Sequence, residues 1–585
     1  MIDTCMQTLL ASVAGGGGAL SEGSAIKINL NFVDFSILGI YLAFVIGIGF
    51  ALKKYATSAE DFLLSGRSIP GWITGLAFIS ANLGAQELIG MAASGAEYGI
   101  MTSHYYWVGA IPAMVFLGIF MMPMYYGSKA KSVPEYLKMR YDEKTRVFNS
   151  FSFAFMTIAS SGISMHALAQ LLHFLLGWDY NLCLLCTSFV VLAYVLKGGL
   201  SSAIYTEVLQ FFMIVLGIAP LAYLGLKNVG GWEGLTAKLG QSHMHSWAET
   251  GTLDNPMGVP WYGILFGLGF VLSFGYWCTN FAEVQRALAA NSMGAARRTP
   301  IIGAVPKMLF PAIVILPGMV GLALTQNPTE GGYSIPVGDD GRHVFNLVLP
   351  SMINHYFPNG MLGLAMTALM ASFMSGMAAN VTAFNTVWTY DIYQGLSKQK
   401  KTDKQLLRMG KFATIGGILL SIGFAYFAKS SNNIMTILQT VFGFVNAPLF
   451  ATFLLGMFTK RSNSNGAFWG LVTGTLAALV FQGISLAKGN IAGFAKGGWI
   501  SPVLEFPKEM SQAFWIALVA FSVTFIVNAV LSLATRREKS EDELRGLVYS
   551  LTPKYHEEGG SWFGRPAVCG SLVLLAAIIL NFIFW

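Results

Sequence analysis

Residues 78–90 read Phe-Ile-Ser-Ala-Asn-Leu-Gly-Ala-Gln-Glu-Leu-Ile-Gly and place Asn82, Gln86 and Glu87 beside two glycines inside a long apolar stretch. A charged group at bilayer depth costs several kcal/mol, roughly 2.5–3.5 for Asp, Lys or Arg on insertion scales, and persists where it faces a cavity, an ion or a partner. The segment therefore predicts a solute or ion path at a point where a membrane helix is broken.

A second polar constellation lies at 361–391. Ser372, Ser375 and Gly376 stand at i, i+3 and i+4 and so share one helix face. Such a face serves close helix packing, with hydroxyls bonded back to carbonyls. It equally serves an alkali cation, because serine hydroxyls and carbonyls freed by a helix break are the neutral oxygens a small hard ion needs. Neutral ligands leave the positive charge of the ion uncompensated, which makes binding sensitive to voltage.

Lys307, between Pro306 and Pro311, either snorkels to an interface or points inward from a loosened helix. Gln439 interrupts an apolar run from Ile434 to Val445. Tyr276, Trp277, Asn280 and Glu283 follow Gly275 and read as a cavity lining. His166 and His173 share a face and read as satisfied bundle histidines. Glu207, near the cytoplasmic end of a span, is placed either to cap a helix N-terminus or to assist ion release.

These residues need membrane helices to position them. The chain has 585 residues, 54% of them hydrophobic and 11% charged, with mean hydropathy +0.57. A soluble domain carries about 25% charged residues, so the composition is that of a polytopic membrane protein. Apolar runs of about 20 residues span a bilayer. Fourteen are read, near 35–52, 71–93, 104–126, 147–177, 179–196, 203–226, 258–283, 300–324, 361–391, 410–428, 434–457, 465–487, 512–534 and 567–585. With loops alternating sides, 27 of the 36 Lys and Arg fall in one set, which the positive-inside rule puts in the cytoplasm, with both termini extracytoplasmic.

The net charge of +7 is spread in short clusters between spans and is no nucleic-acid signal. Cys183 and Cys186 form a Cys-x-x-Cys inside an apolar span, with no second pair nearby, and read as packing residues. Leu9–Ala14 is a short apolar run with no positive residue before it, so no cleaved signal peptide is assigned. No stretch is long enough for a soluble catalytic or signalling domain, and no nucleophile elbow, phosphate loop or metal-binding helix is present. The chain is read as a transporter with no bound cofactor, not an enzyme. The Gly-x-x-x-Gly at 230–234 reads as a turn in a polar loop.

Several segments resemble the sodium/solute symporter family, and within it the sodium–glucose cotransporter branch. They are Asp61-Phe-Leu-Leu-Ser-Gly-Arg67-Ser-Ile-Pro, residues 78–91, Gly198-Gly199-Leu with Thr206, Glu207 and Gln210, and Tyr276-Trp277 with Gln285-Arg286-Ala-Leu-Ala-Ala. Lys307 with Leu316-Pro317-Gly318, Asn385 with Thr389-Tyr-Asp391-Ile-Tyr393, and Phe453-Leu-Leu-Gly456 complete the set, in family order from about 35 to 460. The resemblance implies an all-α fold of about fourteen transmembrane helices. Its LeuT-like core would hold five helices and an inverted second five, with one extra helix before and three after. The corresponding segments are 1–33 (extracytoplasmic), 34–60 (first helix and loop), 61–460 (transport core) and 461–585 (peripheral helices).

Carried over residue by residue, the resemblance implies a Na+ site from the carbonyls of Ser80 and Leu83 with Ser372, Ser375 and Gly376. The family usually has serine at the position of Gly376, and aspartate at that of Glu207, the implied ion-release residue. Asn82, Lys307 and Gln439 are implied hydrogen-bond partners of a sugar-like solute, Tyr276 an inner-gate aromatic and Trp277 its neighbour. Glu87 stands where glutamine or histidine is common, Tyr106 where glutamate is, and Ser273 where a sugar-binding asparagine can lie; Glu87 and Lys307 are a potential neutralising pair. The implied activity is sodium-coupled symport of a small polar solute, a monosaccharide first. A polyol, an amino acid, an organic cation, or a non-transporting sensor on this scaffold are the alternatives. The implied location is the plasma membrane, or the inner membrane of a bacterium; oligomeric state is left open.

Overall fold

The computed structural model describes residues 30–52, 58–327, 332–338, 341–429, 434–555 and 564–585. The apolar run Leu9–Ala14 lies outside them. Most described residues are helical, and the named strands among them are a short parallel pairing of Ser485–Ala487 with Leu504–Phe506. This is what a bilayer demands, since a helix satisfies its own backbone polar groups where no water can.

Eleven helices are long and apolar enough to cross a membrane, or up to thirteen when each of two sharply bent pairs counts as one span. The long helices are α1 (Phe32–Leu52), α2 (Gly71–Asn82), α3 (Ala85–Tyr98), α4 (Tyr105–Gly127), α5 (Glu143–Leu176), α6 (Tyr180–Asn228), α7 (Gly263–Thr279) and α8 (Phe281–Leu288). After them come α9 (Met293–Gln326), α10 (Met361–Gln394), α11 (Asp403–Ala428), α12 (Ile434–Phe458), α13 (Ser464–Ile484), α14 (Glu509–Ala534) and α15 (Pro566–Ile583).

Among the described residues at most thirteen of the fourteen expected spans are long and apolar enough to cross. Residues 179–196 and 203–226, read as two spans, lie in the two helical parts of α6, which meet at a kink where Gly199 leaves helical geometry (φ 59°, ψ −154°), and Gly199–Asn228 is a spanning candidate by itself. Its apolar first part, Tyr180–Leu192, is shorter than a spanning helix. The Gly230–Gly234 stretch is also more than a turn: Gly230 is left-handed (φ 92°) and a short helix, Gly231–Lys238, follows at once.

The two bent pairs position the functional residues. α2 and α3 meet at 58°, and α7 and α8 at 49°. They occupy the first place in each of the two sets of five helices, the corresponding positions that an inverted repeat requires of its broken helices. At the first break Asn82 ends α2, Leu83 leaves helical geometry (φ −78°, ψ 47°) and extended Gly84 starts α3. At the second, Asn280 turns the chain and its side chain caps α8 by accepting from the Ala282 N–H at 3.0 Å. Asn280 is thus a capping residue.

α10, the most deeply buried spanning helix, crosses beside the first break. Asp34 of α1 holds its start, with Oδ1 accepting from the N–H groups of Gly360 and Gly363, both at 2.7 Å. A carboxylate at a helix N-terminus satisfies donors that have no partner within the helix.

Gly199 tests how tightly the bend in α6 is specified. Its backbone lies in a region essentially reserved for glycine, and a β-carbon there would collide with the carbonyl oxygen of Phe62. Gly199→Ala is expected to cost at least about 1–3 kcal/mol and to lower the thermal unfolding midpoint of detergent-purified protein. An unchanged midpoint would mean that the bend is not as drawn.

Candidate solute and cation sites

The first break opens onto a polar cavity. Asn82, Gln86, Glu87 and Met91 line it from the α2–α3 pair, Tyr105, Tyr106 and Ala110 from α4, and Leu272, Ser273, Tyr276 and Trp277 from α7. Lys307 of α9 and Met435, Leu438, Gln439 and Phe442 of α12 complete the wall. All eight residues named from the sequence for solute contact, scattered over more than 350 positions, meet on this one cavity. Tyr105–Ala110 and Gly263–Ser273 run in wide helical turns with i→i+5 bonding, a geometry that is rare and concentrated at functional sites. Gly109 lets the two approach, since a β-carbon there would strike the Ser273 hydroxyl.

Lys307 does not snorkel. Its ammonium lies 2.5 Å from Glu87 Oε1 and also donates to Asn82 Oδ1. It sits 4.6 Å from the Tyr106 ring centre and 5.5 Å from that of Trp277, an additional cation–π environment. Glu87 accepts a second hydrogen bond from the Tyr106 hydroxyl at 2.7 Å. On the other side of Asn82, its Nδ2 donates to the Tyr276 hydroxyl at 3.2 Å, and that hydroxyl donates to Glu283 Oε1 at 2.6 Å. A continuous polar chain thus runs Glu283–Tyr276–Asn82–Lys307–Glu87–Tyr106. The Tyr276 ring lies 4.8 Å from that of Phe442, closing one side. Removing either partner of a buried ion pair leaves an uncompensated charge, so the pair fixes the cavity at zero net charge only as a unit.

Behind the break, Ser375 Oγ donates to the Ser80 carbonyl at 2.7 Å and lies 3.0 Å from Ser80 Oγ; Ser372 Oγ donates to the Leu83 carbonyl at 2.6 Å. All four residues are completely buried. The result is a cradle of neutral oxygens spanning α2 and α10. Gly376 reaches the same place but brings no side-chain oxygen, and space explains why: a β-carbon on it would lie 2.7 Å from Gly84 Cα.

Glu207 is neither a helix cap nor open to solvent. Glu207 lies well past the kink at Gly199, inside the second part of α6, and pairs with Arg286 of α8 at 2.5 and 3.2 Å, both side chains fully buried. His166 hydrogen-bonds the Tyr180 hydroxyl and His173 the Trp178 carbonyl. Sequence reasoning named the polar Gln86 but gave it no role, and overlooked Tyr105 and Phe442. Phe442 lies three residues after Gln439, the same helix face, which was the available signal.

A discontinuous helix with an oxygen cradle on one side and a polar cavity on the other defines an inverted-repeat secondary transporter. Residues 62–474 match the sodium:solute symporter family, and the chain belongs to that family. It is a multi-pass membrane transporter, not an enzyme, and sodium is the coupling ion of its family. It is 29% identical to a sodium/glucose cotransporter of Vibrio parahaemolyticus, over 96% of this chain and 100% of that protein. It is also 29% identical to human sodium/glucose cotransporter 4, over 77% of this chain and 69% of that one. The fold matches a Na+-coupled sialic acid symporter in a substrate-bound outward-open state with TM-score 0.71 at 21% identity, covering 87% of this chain and 99% of that one.

The ion pair makes a sharp test. Glu87→Gln and Lys307→Met should each destabilise the protein, by about 3–5 kcal/mol if the remaining charge stays buried. The double variant should recover part of the loss. Thermal unfolding of the four proteins measures this, and additive losses would show that the two groups do not interact.

Proposed function

We propose that this protein couples the inward movement of sodium to uptake of a small neutral polyhydroxylated solute, a monosaccharide first. The observation that carries the proposal is the joint placement of the cavity and the cradle on the two faces of one helix break. Asn82, Gln439 and Ser273 offer neutral donors and acceptors, the paired Lys307 and Glu87 offer charge-assisted ones without net charge, and Trp277 offers an apolar face to a sugar ring. The Lys307–Glu87 pair argues against an organic cation, which would have to displace the lysine from its carboxylate. Buried groups of this kind discriminate strongly against analogues that leave them unpaired, so the exchanged residues Glu87, Tyr106 and Ser273 would set which sugar is preferred.

In the proposed cycle sodium enters the cradle of Ser80, Leu83, Ser372 and Ser375 beside Gly376, exchanging two serine–carbonyl hydrogen bonds for ion contacts and tying α2 to α10. Solute binds against Asn82, Lys307 and Gln439. The broken-helix bundle then rocks inward and Tyr276 swings from Glu283 to release the solute. Glu207, held by Arg286, would receive the departing ion when that pair loosens. A tenfold sodium gradient contributes about 1.4 kcal/mol and 100 mV about 2.3 more per charge. Their sum of about 3.7 kcal/mol supports roughly 500-fold accumulation of a neutral solute with one ion per cycle.

Residues 61–460 would form the moving core, with 461–585 peripheral. The location would be the plasma membrane, or the inner membrane of a bacterium, with both termini extracytoplasmic.

Counterflow of labelled monosaccharides into proteoliposomes, with and without sodium, tests the reading; sodium-independent or absent flux across the sugar panel would sink it. Ser375→Ala removes one ligand and should raise half-saturating sodium on the order of tenfold, the equivalent of about 1–3 kcal/mol. An unchanged value would mean that the ion binds elsewhere.

A further inference from the structure

Gln86 follows the first break by two residues, in the first turn of α3, and carries a polar group with no partner. It lines the solute cavity, yet it is only 8% exposed and its Oε1 is completely buried with no hydrogen-bond partner. An unpaired buried carbonyl oxygen costs roughly 1–3 kcal/mol, so its retention asks for a ligand. Its carboxamide is folded over Gly84: a β-carbon on that glycine would meet Gln86 Oε1 at 2.7 Å and Nε2 at 2.9 Å.

Gly84 is also the residue against which Gly376 packs. The Leu83 carbonyl of the cradle is one residue away along the chain. The cradle has five oxygens in hand, two carbonyl and three hydroxyl, Ser80 Oγ among them, and the crowding at Gly84 excludes a side chain at Gly376 that would add another. The unpaired oxygen therefore belongs to a cavity-lining residue whose side chain lies against Gly84, the glycine on which Gly376 packs.

We propose that the Gln86 carboxamide is a ligand shared by the two sites, its oxygen completing the sodium shell and its NH2 donating to a solute hydroxyl. It rests on the sodium and solute sites proposed above. Being neutral, the amide leaves the charge of the ion uncompensated. Being single, it ties the two occupancies together: sodium on the oxygen fixes the amide plane, so the NH2 group meets the solute already oriented. Sodium then raises solute affinity, and solute must raise sodium affinity by the same factor, because binding linkage is reciprocal.

Detergent-purified protein supplies the test, with sodium titrated alone and then with D-glucose, D-galactose and myo-inositol, and binding read by isothermal calorimetry and by thermal stabilisation. In the unaltered protein saturating sodium should tighten solute binding on the order of tenfold, within the usual range for coupled sites. Gln86→Met, close in size but without the polar atoms, should raise half-saturating sodium severalfold in the absence of solute and reduce the coupling factor towards one. Gln86→Glu keeps an oxygen and loses the donor, so it should retain sodium binding while weakening solute binding. A purely structural role would move all three quantities together in both variants.

Undiminished coupling in Gln86→Met, or sodium binding lost in Gln86→Glu but not in Gln86→Met, overturns the inference. An unaltered protein in which sodium changes the binding of none of the three solutes overturns the symport reading, and the shared ligand falls with it.

Discussion

Inside a bilayer every backbone carbonyl must find a partner, and the break at Leu83–Gly84 removes the helical partners of several at once. The structure answers from a neighbouring helix: the hydroxyls of Ser372 and Ser375 reach the carbonyls of Leu83 and Ser80. That answer requires α10 to approach the break closely, which Gly376 allows by having no side chain to strike Gly84. The bend in turn aims Asn82, Gln86 and Glu87 into the cavity. Oxygen cradle, helix packing and polar cavity are thus consequences of one interrupted hydrogen-bond ladder.

The second organising interaction is the Lys307–Glu87 pair. Isolated, either charge would be intolerable at this depth; together, with Asn82 and Tyr106 filling their remaining hydrogen bonds, they form a neutral polar wall. The same chain of contacts reaches Tyr276 and Glu283 across the second break. Both discontinuous helices are therefore joined through one network. In the proposed cycle, opening at Tyr276 and solute binding at Lys307 would act on the same chain of hydrogen bonds.

Much of this was legible in the residues. Asn82, Glu87, Lys307 and Gln439 are conspicuous because polar groups are expensive in lipid, and the spacing of Ser372, Ser375 and Gly376 announces a common face. The span pattern was legible for the same reason, apart from the helix through Gly199. There two helical parts meet at a single kinked residue, and hydropathy alone does not locate such a junction. Glu207 shows another limit: a carboxylate near a helix start reads as a cap, whereas its partner Arg286 is 79 positions away. Gln86 was visible as a polar residue but carried no role, because nothing local distinguishes a side chain that turns back over the break from one that enters the cavity.

By itself the sequence determined the setting, the helical fold and the set of polar residues that must be sheltered, since transfer costs act residue by residue and leave their mark in composition and period. Only the tertiary structure decided who shelters whom. The pairing of Glu87 with Lys307, the bonding of Ser372 and Ser375 to the freed carbonyls, and the exclusion of a side chain at Gly376 depend on distances between helices far apart in the chain. Those distances are set by the packing of many small contacts at once, and no local pattern encodes them.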